Sequence, residues 1–248
     1  MIHLESLFPP AQRPRLCEAI FKRYSCRAYA GAPSAGDWAA LNYAAQRYQL
    51  PGARLRLLHA DESLFTGNLL GVGRITGCTS IAAVIASASH DRSRIHAGIL
   101  GEAFCLEATA LGLATCWVSG TYRKKALTID LAPDEAVLAI IAFGIPSDMQ
   151  PKIVRKRKPI DKLIDGDPAA WPEELRRVAE AVREAPSAMN MQPWEMHLSG
   201  SRLTINAADR AQIELGVALC HAELILVTPH TWQYGASRKE TAAWAQPK

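Results

Sequence analysis

Residues 184–197, EAPSAMNMQPWEMH, decide how the second half of the chain folds. Before them, residues 171–185 carry apolar side chains at helical spacing, so they predict an amphipathic helix. Pro186 ends that helix, because its ring removes an N–H group and restricts the residue before it. From Trp194 onward, WEMHLSG and SRLTINA predict a β-hairpin that turns near Gly200. The stretch therefore predicts a helix, an irregular polar turn and a strand.

Helical and strand patterns alternate along the rest of the chain. Apolar residues at helical spacing predict further helices over residues 14–23, 34–50, 96–114 and 209–227. Asp209 is expected to cap the last of them. Runs of alternating or continuous apolar residues predict strands over residues 53–60, 80–88 and 135–146.

Composition restricts the class of protein. The chain has 248 residues, 49% hydrophobic and 21% charged, which suits one ordinary domain or two small intertwined lobes. Its longest apolar run, residues 136–145, is far shorter than the ~20 residues of a membrane span. A net charge of +4 is too small to indicate nucleic acid by itself. We therefore expect a soluble protein with no membrane or nucleic-acid partner and no secretory signal.

Cysteine and histidine usage points to a reduced compartment and to no metal site. The six cysteines are scattered and form no C-x-x-C pair, so we interpret them as reduced thiols of a cytoplasmic protein. The seven histidines show no metal-like spacing. Cys116 has no positively charged neighbour in sequence, and we interpret it as a buried structural thiol.

The segment KRYSCR offers groups that suit a phosphate. Arg23, Ser25 and Arg27 alternate, so an extended backbone would place them on one face. Two guanidinium groups and a hydroxyl could then bind a phosphate through charge-assisted hydrogen bonds. The alternative is an exposed basic end of a helix.

The turn between Pro186 and Trp194 offers short polar side chains on an irregular backbone. Ser187 and Asn190 could bind the edge of a polar ring, and Gln192 could add to this or brace the loop. The alternative is a simple helix-to-strand turn with Trp194 in the core.

Two further stretches indicate a function less specifically. RKRKP, residues 155–159, could be a nucleic-acid patch, a targeting tract or a solvated connector. TGNLLGVGRITG, residues 66–77, contains Gly-x-Gly but lacks the dinucleotide-binding fingerprint and its strand-turn-helix context. A nicotinamide cofactor would therefore have no dedicated domain.

Four segments together resemble the nitroreductase family of FMN-dependent oxidoreductases. They are AIFKRYSCRAY, EATALGLATCWVSG, AFGIP followed by RKRKPIDKLI, and APSAMNMQPW. They are similar to the family's Arg-x-Ser-x-Arg, Leu-Gly-Leu-x-Thr-Cys-Trp, Gly-x-Pro with Arg-Lys-Pro, and Pro-Ser-x-x-Asn-x-Gln-Pro-Trp segments. The resemblance extends over most of residues 19–224 and implies an α+β fold with a mixed, largely antiparallel sheet flanked by helices.

One segment is out of the usual order. In ordinary members the Pro-Ser-x-x-Asn segment follows the first helix after the Arg-rich start, but residues 50–57 here read LPGARLRL. Its place in the C-terminal half resembles a rearranged branch of the family. We expect one domain over residues 1–248, with an internal pseudo-repeat of residues 14–150 and 151–235. Such a chain would build one flavin site alone, which leaves both monomer and homodimer open.

The resemblance also implies roles for individual residues. Arg23, Tyr24 and Ser25 would lie at the phosphate and ribityl end of FMN, and Arg155 or Arg157 would complete the phosphate site. Arg27 would lie near the pyrimidine edge. A backbone N–H of Val118 or Ser119 would point at flavin N5. Cys116 and Trp117 would pack against the ring, whose edge would meet Pro186, Ser187, Ala188, Asn190 and Gln192.

The implied function is an FMN-dependent oxidoreductase. NADH or NADPH would reduce the flavin and leave, and a small oxidised acceptor such as a nitroaromatic or quinone would then enter the same space. No side chain is assigned as an acid or base, because the flavin does the chemistry. The alternative is a flavin-binding or sensing protein without turnover.

Overall fold

A computed structural model describes residues 4–65, 74–148, 156–235 and 241–245 of the chain. The chain divides into two compact units. We call residues 22–154 the central unit, and residues 1–21 together with residues 155–248 the terminal unit. The glycine-rich stretch of residues 66–77 falls largely outside the described residues.

The secondary structure alternates between helices and strands. The helices are α1 (Arg13–Lys22), α2 (Ala35–Arg47), α3 (Ser93–Ala110), α4 (Glu173–Glu184) and α5 (Gln212–Ile225). The strands are β1 (Tyr29–Gly31), β2 (Ala53–His59), β3 (Ser80–Ser87), β4 (Ala114–Val118), β5 (Glu135–Pro146), β6 (Trp194–Ser199), β7 (Arg202–Ala207), β8 (Gln233–Tyr234) and β9 (Thr241–Ala245).

The central unit contains a five-stranded antiparallel sheet built around β5. Strand β5 pairs with β3 along one edge and with β4 and β1 along the other, and β3 pairs in turn with β2. Residues Ser80 to Ala86 of β3 are all buried, as expected for a strand whose continuous apolar run lies inside a sheet. This arrangement fixes β4 beside the centre of the sheet.

Two helices of the central unit show how the sequence sets their ends. Ser34 is the N-cap of helix α2, and its hydroxyl accepts a hydrogen bond from the backbone N–H of Asp37 at 3.1 Å. Helix α3 is buried along most of its length, and the chain leaves it through Gly112 at φ +82°. The left-handed conformation at Gly112 lets the chain turn directly into β4.

The terminal unit contains a four-stranded antiparallel sheet in the order β6-β7-β9-β8. Helix α4 buries one apolar stripe, consisting of Leu175, Val178, Ala179, Ala181 and Val182. It ends at Glu184, two residues before Pro186, as the sequence predicts. The β6–β7 hairpin turns at Gly200, which has a φ of +58°.

The predicted α+β class with a mainly antiparallel sheet is confirmed. The predicted cap of α5 is wrong, because Asp209 lies within a short 3-10 turn and the helix begins only at Gln212. The single domain and the two half-repeats stay predictions. None of the helices in the described residues is long and apolar enough to cross a membrane.

Candidate functional site

Two of the predicted cofactor segments lie side by side in the central unit. The segment after α1 runs parallel to the start of β4, with Ser25 bridged to Thr115. The backbone N–H of Cys26 donates to the carbonyl oxygen of Thr115 at 2.9 Å. The structure therefore brings the Arg-x-Ser-x-Arg segment against the Thr-Cys-Trp segment, which the sequence alone could not place.

The three side chains predicted for a phosphate are not equally accessible. Ser25 and Arg27 are exposed, whereas Arg23 is only 3% exposed. All three nevertheless act on the thiol of Cys116, and whether they share one ligand-binding face stays a prediction. Arg23 follows the last residue of α1 directly, and its Nε lies 3.4 Å from Oε1 of Glu102 on α3. The buried carboxylate compensates the buried cation.

Glu102 also contacts the other cofactor segment. Its Oε2 accepts a hydrogen bond from Nε1 of Trp117 at 3.0 Å, and its side chain is fully buried. Gly101 makes this contact possible, because a Cβ atom there would lie 2.2 Å from Cη2 of Trp117. One carboxylate thus connects Arg23 to Trp117, and the indole is directed toward α3.

The thiol of Cys116 is unsuited to act as a nucleophile. Burial raises the pKa of Cys116 to about 11, although the nearby Arg27 and Arg23 lower it. The thiol therefore stays protonated at neutral pH, in agreement with the interpretation as a structural cysteine. Burial likewise raises the pKa of Tyr24, and the neighbouring Cys26 raises it further.

The chain reaches the protein surface directly after β4. Val118, the last residue of the strand, is 6% exposed, and Ser119 immediately after it is exposed. Trp117 is half-buried. The backbone predicted to face the flavin thus lies where the chain leaves the sheet.

The polar turn of the terminal unit has an unusual backbone. Met189, Asn190 and Gln192 have φ values of 49°, 56° and 46°, so three residues other than glycine adopt the left-handed region. Each costs roughly 1–2 kcal/mol relative to an ordinary conformation. Ala188 and Asn190 are exposed, while Pro186 and Ser187 are half-buried. Strain of this kind is found where a loop is shaped for a function.

Gln192 braces this turn. It is 2% exposed, and its backbone N–H donates to Oγ of Ser187 at 2.8 Å. Its Oε1 accepts a hydrogen bond from the backbone N–H of Lys158 at 3.0 Å. The Nζ of Lys158 donates to the Gln192 carbonyl oxygen at 3.0 Å. The sequence left two roles open for Gln192, contact with a ring edge and bracing of the loop. These contacts are those of a residue that braces the loop.

Arg157 lies in the same hydrogen-bonded group. Its Nη1 donates to Oδ1 of Asn190 at 2.8 Å, and its Nη2 donates to the carbonyl oxygen of Glu184 at 2.6 Å. Arg155, the other arginine predicted for the phosphate, lies outside the described residues. The Arg-Lys-Pro segment and the Pro-Ser-x-x-Asn segment are therefore bonded to each other within the terminal unit.

Sequence reasoning missed partners of the candidate residues in each unit. From its position in the sequence, Glu102 is expected to be a helix cap or a salt-bridge partner, and no pattern links it to Arg23 or Trp117. The backbone bonds of Lys156 and Lys158 to the polar turn were also missed. A high density of basic residues before Pro159 was the only sequence signal for them.

Comparison with solved structures finds several similar proteins. A putative nitroreductase from Thermotoga maritima is 25% identical, covers 93% of each chain and has a TM-score of 0.66. A nitroreductase family protein from Clostridium novyi NT is 18% identical over 53% of this chain and 84% of its own, with a TM-score of 0.44. An FMN and NADPH-dependent nitroreductase from Sphigopyxis sp. strain HMH is 16% identical over 61% of this chain and 98% of its own, with a TM-score of 0.47.

Sequence comparison identifies the family. No functionally curated protein matches the chain significantly. Residues 15–226 match the sequence model of the family described as "Putative TM nitroreductase". That match covers most of the chain, including all the cofactor segments considered above. The chain therefore belongs to this nitroreductase family.

Proposed function

We propose that the protein is an FMN-dependent oxidoreductase that uses NADH or NADPH to reduce a small oxidised acceptor, such as a nitroaromatic or a quinone. Membership of a nitroreductase family supports an oxidoreductase. The single observation that carries the proposal is the Ser25–Thr115 bridge, which places the basic segment beside the Thr-Cys-Trp strand.

The residues of the central unit fit a flavin phosphate. A phosphate of charge about −2 needs cations and hydroxyl donors that solvent can reach. Ser25 and Arg27 are exposed and meet that requirement, so we propose Arg27 for the phosphate and not for the pyrimidine edge that the resemblance implies. Arg23 is buried against Glu102. Tyr24 lies between Arg23 and Ser25 in the sequence, and its neutral phenol could bind the ribityl hydroxyls. Arg155 stays a candidate for the same phosphate.

The residues of the polar turn fit the edge of a ring. The left-handed backbone holds the short polar side chain of Asn190 at the surface of the turn, where its amide can meet a ligand. Asn190 and Ala188 are exposed there, and Pro186 and Ser187 border them. In the central unit, the chain at Val118 and Ser119 would face the ring centre, with Cys116 and Trp117 close to it.

When bound, FMN would supply the redox chemistry by accepting a hydride from the nicotinamide and passing electrons to the acceptor. The side chains named here bind and orient it. No described side chain is assigned as an acid or base, since water or the acceptor can supply protons. Because donor and acceptor would use the same space in turn, we expect ping-pong kinetics.

Three further expectations accompany this proposal. Each chain should bind one flavin, because the Pro-Ser-x-x-Asn segment occurs once. A second copy should not be needed to complete the site, so flavin binding should not depend on protein concentration. A cytoplasmic location agrees with six cysteines that are all free thiols.

The first test is the visible spectrum of the purified protein before and after anaerobic addition of NADPH or NADH. A yellow protein that bleaches and then reduces a quinone supports the proposal. A yellow protein that neither nicotinamide bleaches would indicate flavin binding without turnover. A colourless protein that also fails to take up added FMN would disprove the proposal.

A further inference from the structure

The geometry points to Arg157 as a positioning residue that fixes the amide of Asn190 for a flavin ring, and not as a ligand of the flavin phosphate. This inference rests on the proposed function. It departs from the role expected from the sequence, in which Arg155 or Arg157 completes the phosphate site. The contacts of Arg157 within the terminal unit carry the argument.

The guanidinium of Arg157 is directed at the protein on every side that the structure describes. Its side chain is only 8% exposed. Nη1 donates to Oδ1 of Asn190, Nη2 donates to the carbonyl oxygen of Glu184, and Nε lies 3.6 Å from Oε2 of Glu184. The carbonyl of Glu184 is at the end of α4, where a cation is favoured by the helix dipole. Arg157 thus links the end of α4 to Asn190.

These contacts allow only one orientation of the Asn190 amide. A guanidinium only donates hydrogen bonds, and a backbone carbonyl only accepts them. The Nη1 of Arg157 therefore requires the amide oxygen on its side, and the carbonyl oxygen of Lys156, 2.5 Å from Nδ2, requires the amide nitrogen on the other. Exchanging the two ends of the amide would break both bonds. Within the described residues the second N–H of Nδ2 makes no hydrogen bond, and Asn190 is exposed, so this N–H can donate to a carbonyl of the ring edge.

The same contacts hold a backbone that would otherwise relax. Asn190, Met189 before it and Gln192 two residues after it are all in the left-handed region. Such conformations persist only where surrounding bonds outweigh their cost. Gln192 is tied to Ser187 and to Lys158, whereas the Asn190 side chain is tied through Arg157 and Lys156. Loss of Arg157 should therefore loosen the amide, which would keep only its bond to Lys156 and a long 3.5 Å contact from Nε2 of Gln192, while Gln192 still holds the rest of the turn.

Arg183 offers a matched control. It lies on α4 beside Glu184, its Nε donates to the carbonyl oxygen of Lys158 at 2.7 Å, and its Nη1 lies 3.7 Å from Oε1 of Glu184. Like Arg157, it connects α4 to the basic segment. Within the described residues it makes no bond to Asn190. Replacing it removes the same charge and a similar backbone bond but leaves the amide fixed.

The experiment compares the affinity of each protein for FMN and for riboflavin, which is the same ring without the phosphate. We measure both dissociation constants by flavin fluorescence at a temperature where every variant is folded. For Arg157→Gln we expect both flavins to bind about tenfold more weakly, since one charge-assisted hydrogen bond no longer orients Asn190. The ratio of the two constants should stay at the native value. Arg183→Gln should change each constant by less than about twofold.

A second set of variants separates positioning from general damage. In an Asn190→Ala background, Arg157→Gln should weaken flavin binding no further, because the residue through which it acts is gone. Arg157→Lys keeps the charge but not the fork, so it should fold readily and weaken both flavins by about threefold. An additive loss in the double variant would contradict the inference.

The outcomes also distinguish the two proposals. If the native protein binds neither flavin, the proposed function fails. If it binds both and Arg157→Gln weakens FMN alone, Arg157 is a phosphate ligand and only the positioning role is overturned. If Arg157→Gln binds both flavins with unchanged affinity, the positioning role is also overturned.

Discussion

The Nε of Arg23 lies 3.4 Å from Oε1 of Glu102, and neither side chain is appreciably accessible to solvent. Five residues farther along α3, Glu107 has a comparable set of partners. Its Oε1 is 3.1 Å from Nη2 of Arg47 and accepts a hydrogen bond from the hydroxyl of Tyr48 at 2.6 Å. Each carboxylate is thus bound by one arginine and one aromatic donor. The arginines differ, because Arg47 is 23% exposed and Arg23 is 3% exposed.

Because the two arginines differ in exposure, removing the carboxylate charge of Glu102 should destabilise the protein more than removing that of Glu107. Glu102→Gln leaves a buried guanidinium uncompensated and should lower the free energy of unfolding by about 3 kcal/mol. Glu107→Gln should cost only about 1 kcal/mol, because water can solvate Arg47 and the amide oxygen can still accept from Tyr48. Urea unfolding of both variants measures this. Equal losses would show that burial of Arg23 does not set the cost.

Arg27 should discriminate between flavins with and without a phosphate. Arg27→Ala removes an exposed cation from the proposed phosphate site and should weaken FMN binding by about 1.5–3 kcal/mol. Riboflavin binding should be nearly unchanged. Arg56→Ala, which removes an exposed arginine from β2, controls for the general loss of positive charge. An equal effect of the two substitutions on FMN would place the phosphate elsewhere.

Gly101 should not tolerate even one added methyl group. In Gly101→Ala the new Cβ would lie 2.2 Å from Trp117 and 3.3 Å from Cδ1 of Ile141, so the indole must move and lose its bond to Glu102. We expect a loss of about 1–3 kcal/mol in unfolding free energy.

Gly36→Ala is the matched control, because the nearest atom, Oγ of Ser34, is 3.8 Å from the added Cβ. Its better helix propensity should stabilise α2 by about 0.5 kcal/mol. Thermal unfolding of the two variants should therefore shift in opposite directions. A stabilised Gly101→Ala would mean that Trp117 is not packed against α3 as described.

Cys116 should resist alkylation in the folded protein. With its pKa raised to about 11 by burial, only about one thiol in a thousand is ionised at pH 8. Iodoacetamide at pH 8 should leave Cys116 unlabelled until urea is added, as judged by peptide mass spectrometry. Cys17, which is half-buried, is an internal comparison in the same digest. Rapid labelling of native Cys116 would refute its structural role.

His96 should make stability fall in mildly acidic solution. Burial lowers its pKa from 6.5, the hydrogen bond to the Pro51 carbonyl opposes this, and His90 and Arg92 lower it further. The unfolded chain therefore binds the proton first as pH falls. The stabilisation is complete above about pH 6.5 and is lost as pH falls from there through the folded pKa.

His96→Asn tests this expectation. The Asn amide can still donate to Pro51 but does not titrate. Unfolding free energies measured from pH 8 to pH 5 should therefore decline less steeply for the variant than for the native protein. An equal slope would show that other groups control the acid dependence.

Local patterns in the sequence predicted much of the fold. Apolar patterns predicted α4 and β3, and Pro186 and Gly200 predicted turns. These predictions succeeded because each pattern acts on its immediate neighbours, as the Ser34 cap of α2 also does. The start of α5 was predicted wrongly for the same reason. Asp209 has the chemistry of a cap, but the chain makes a 3-10 turn first.

By itself, the sequence determined the main helices and the longer strands, the order of the cofactor segments and their chemical types. Only the tertiary structure decided which side chains meet. Glu102 binds both Arg23 and Trp117, and Arg157 binds Asn190, across distances in sequence that no local pattern encodes. It also decided that Met189, Asn190 and Gln192 adopt left-handed backbone without glycine. The physical reason is that such contacts and strained conformations depend on bonds from distant segments, whereas helix and strand periodicity depends on near neighbours.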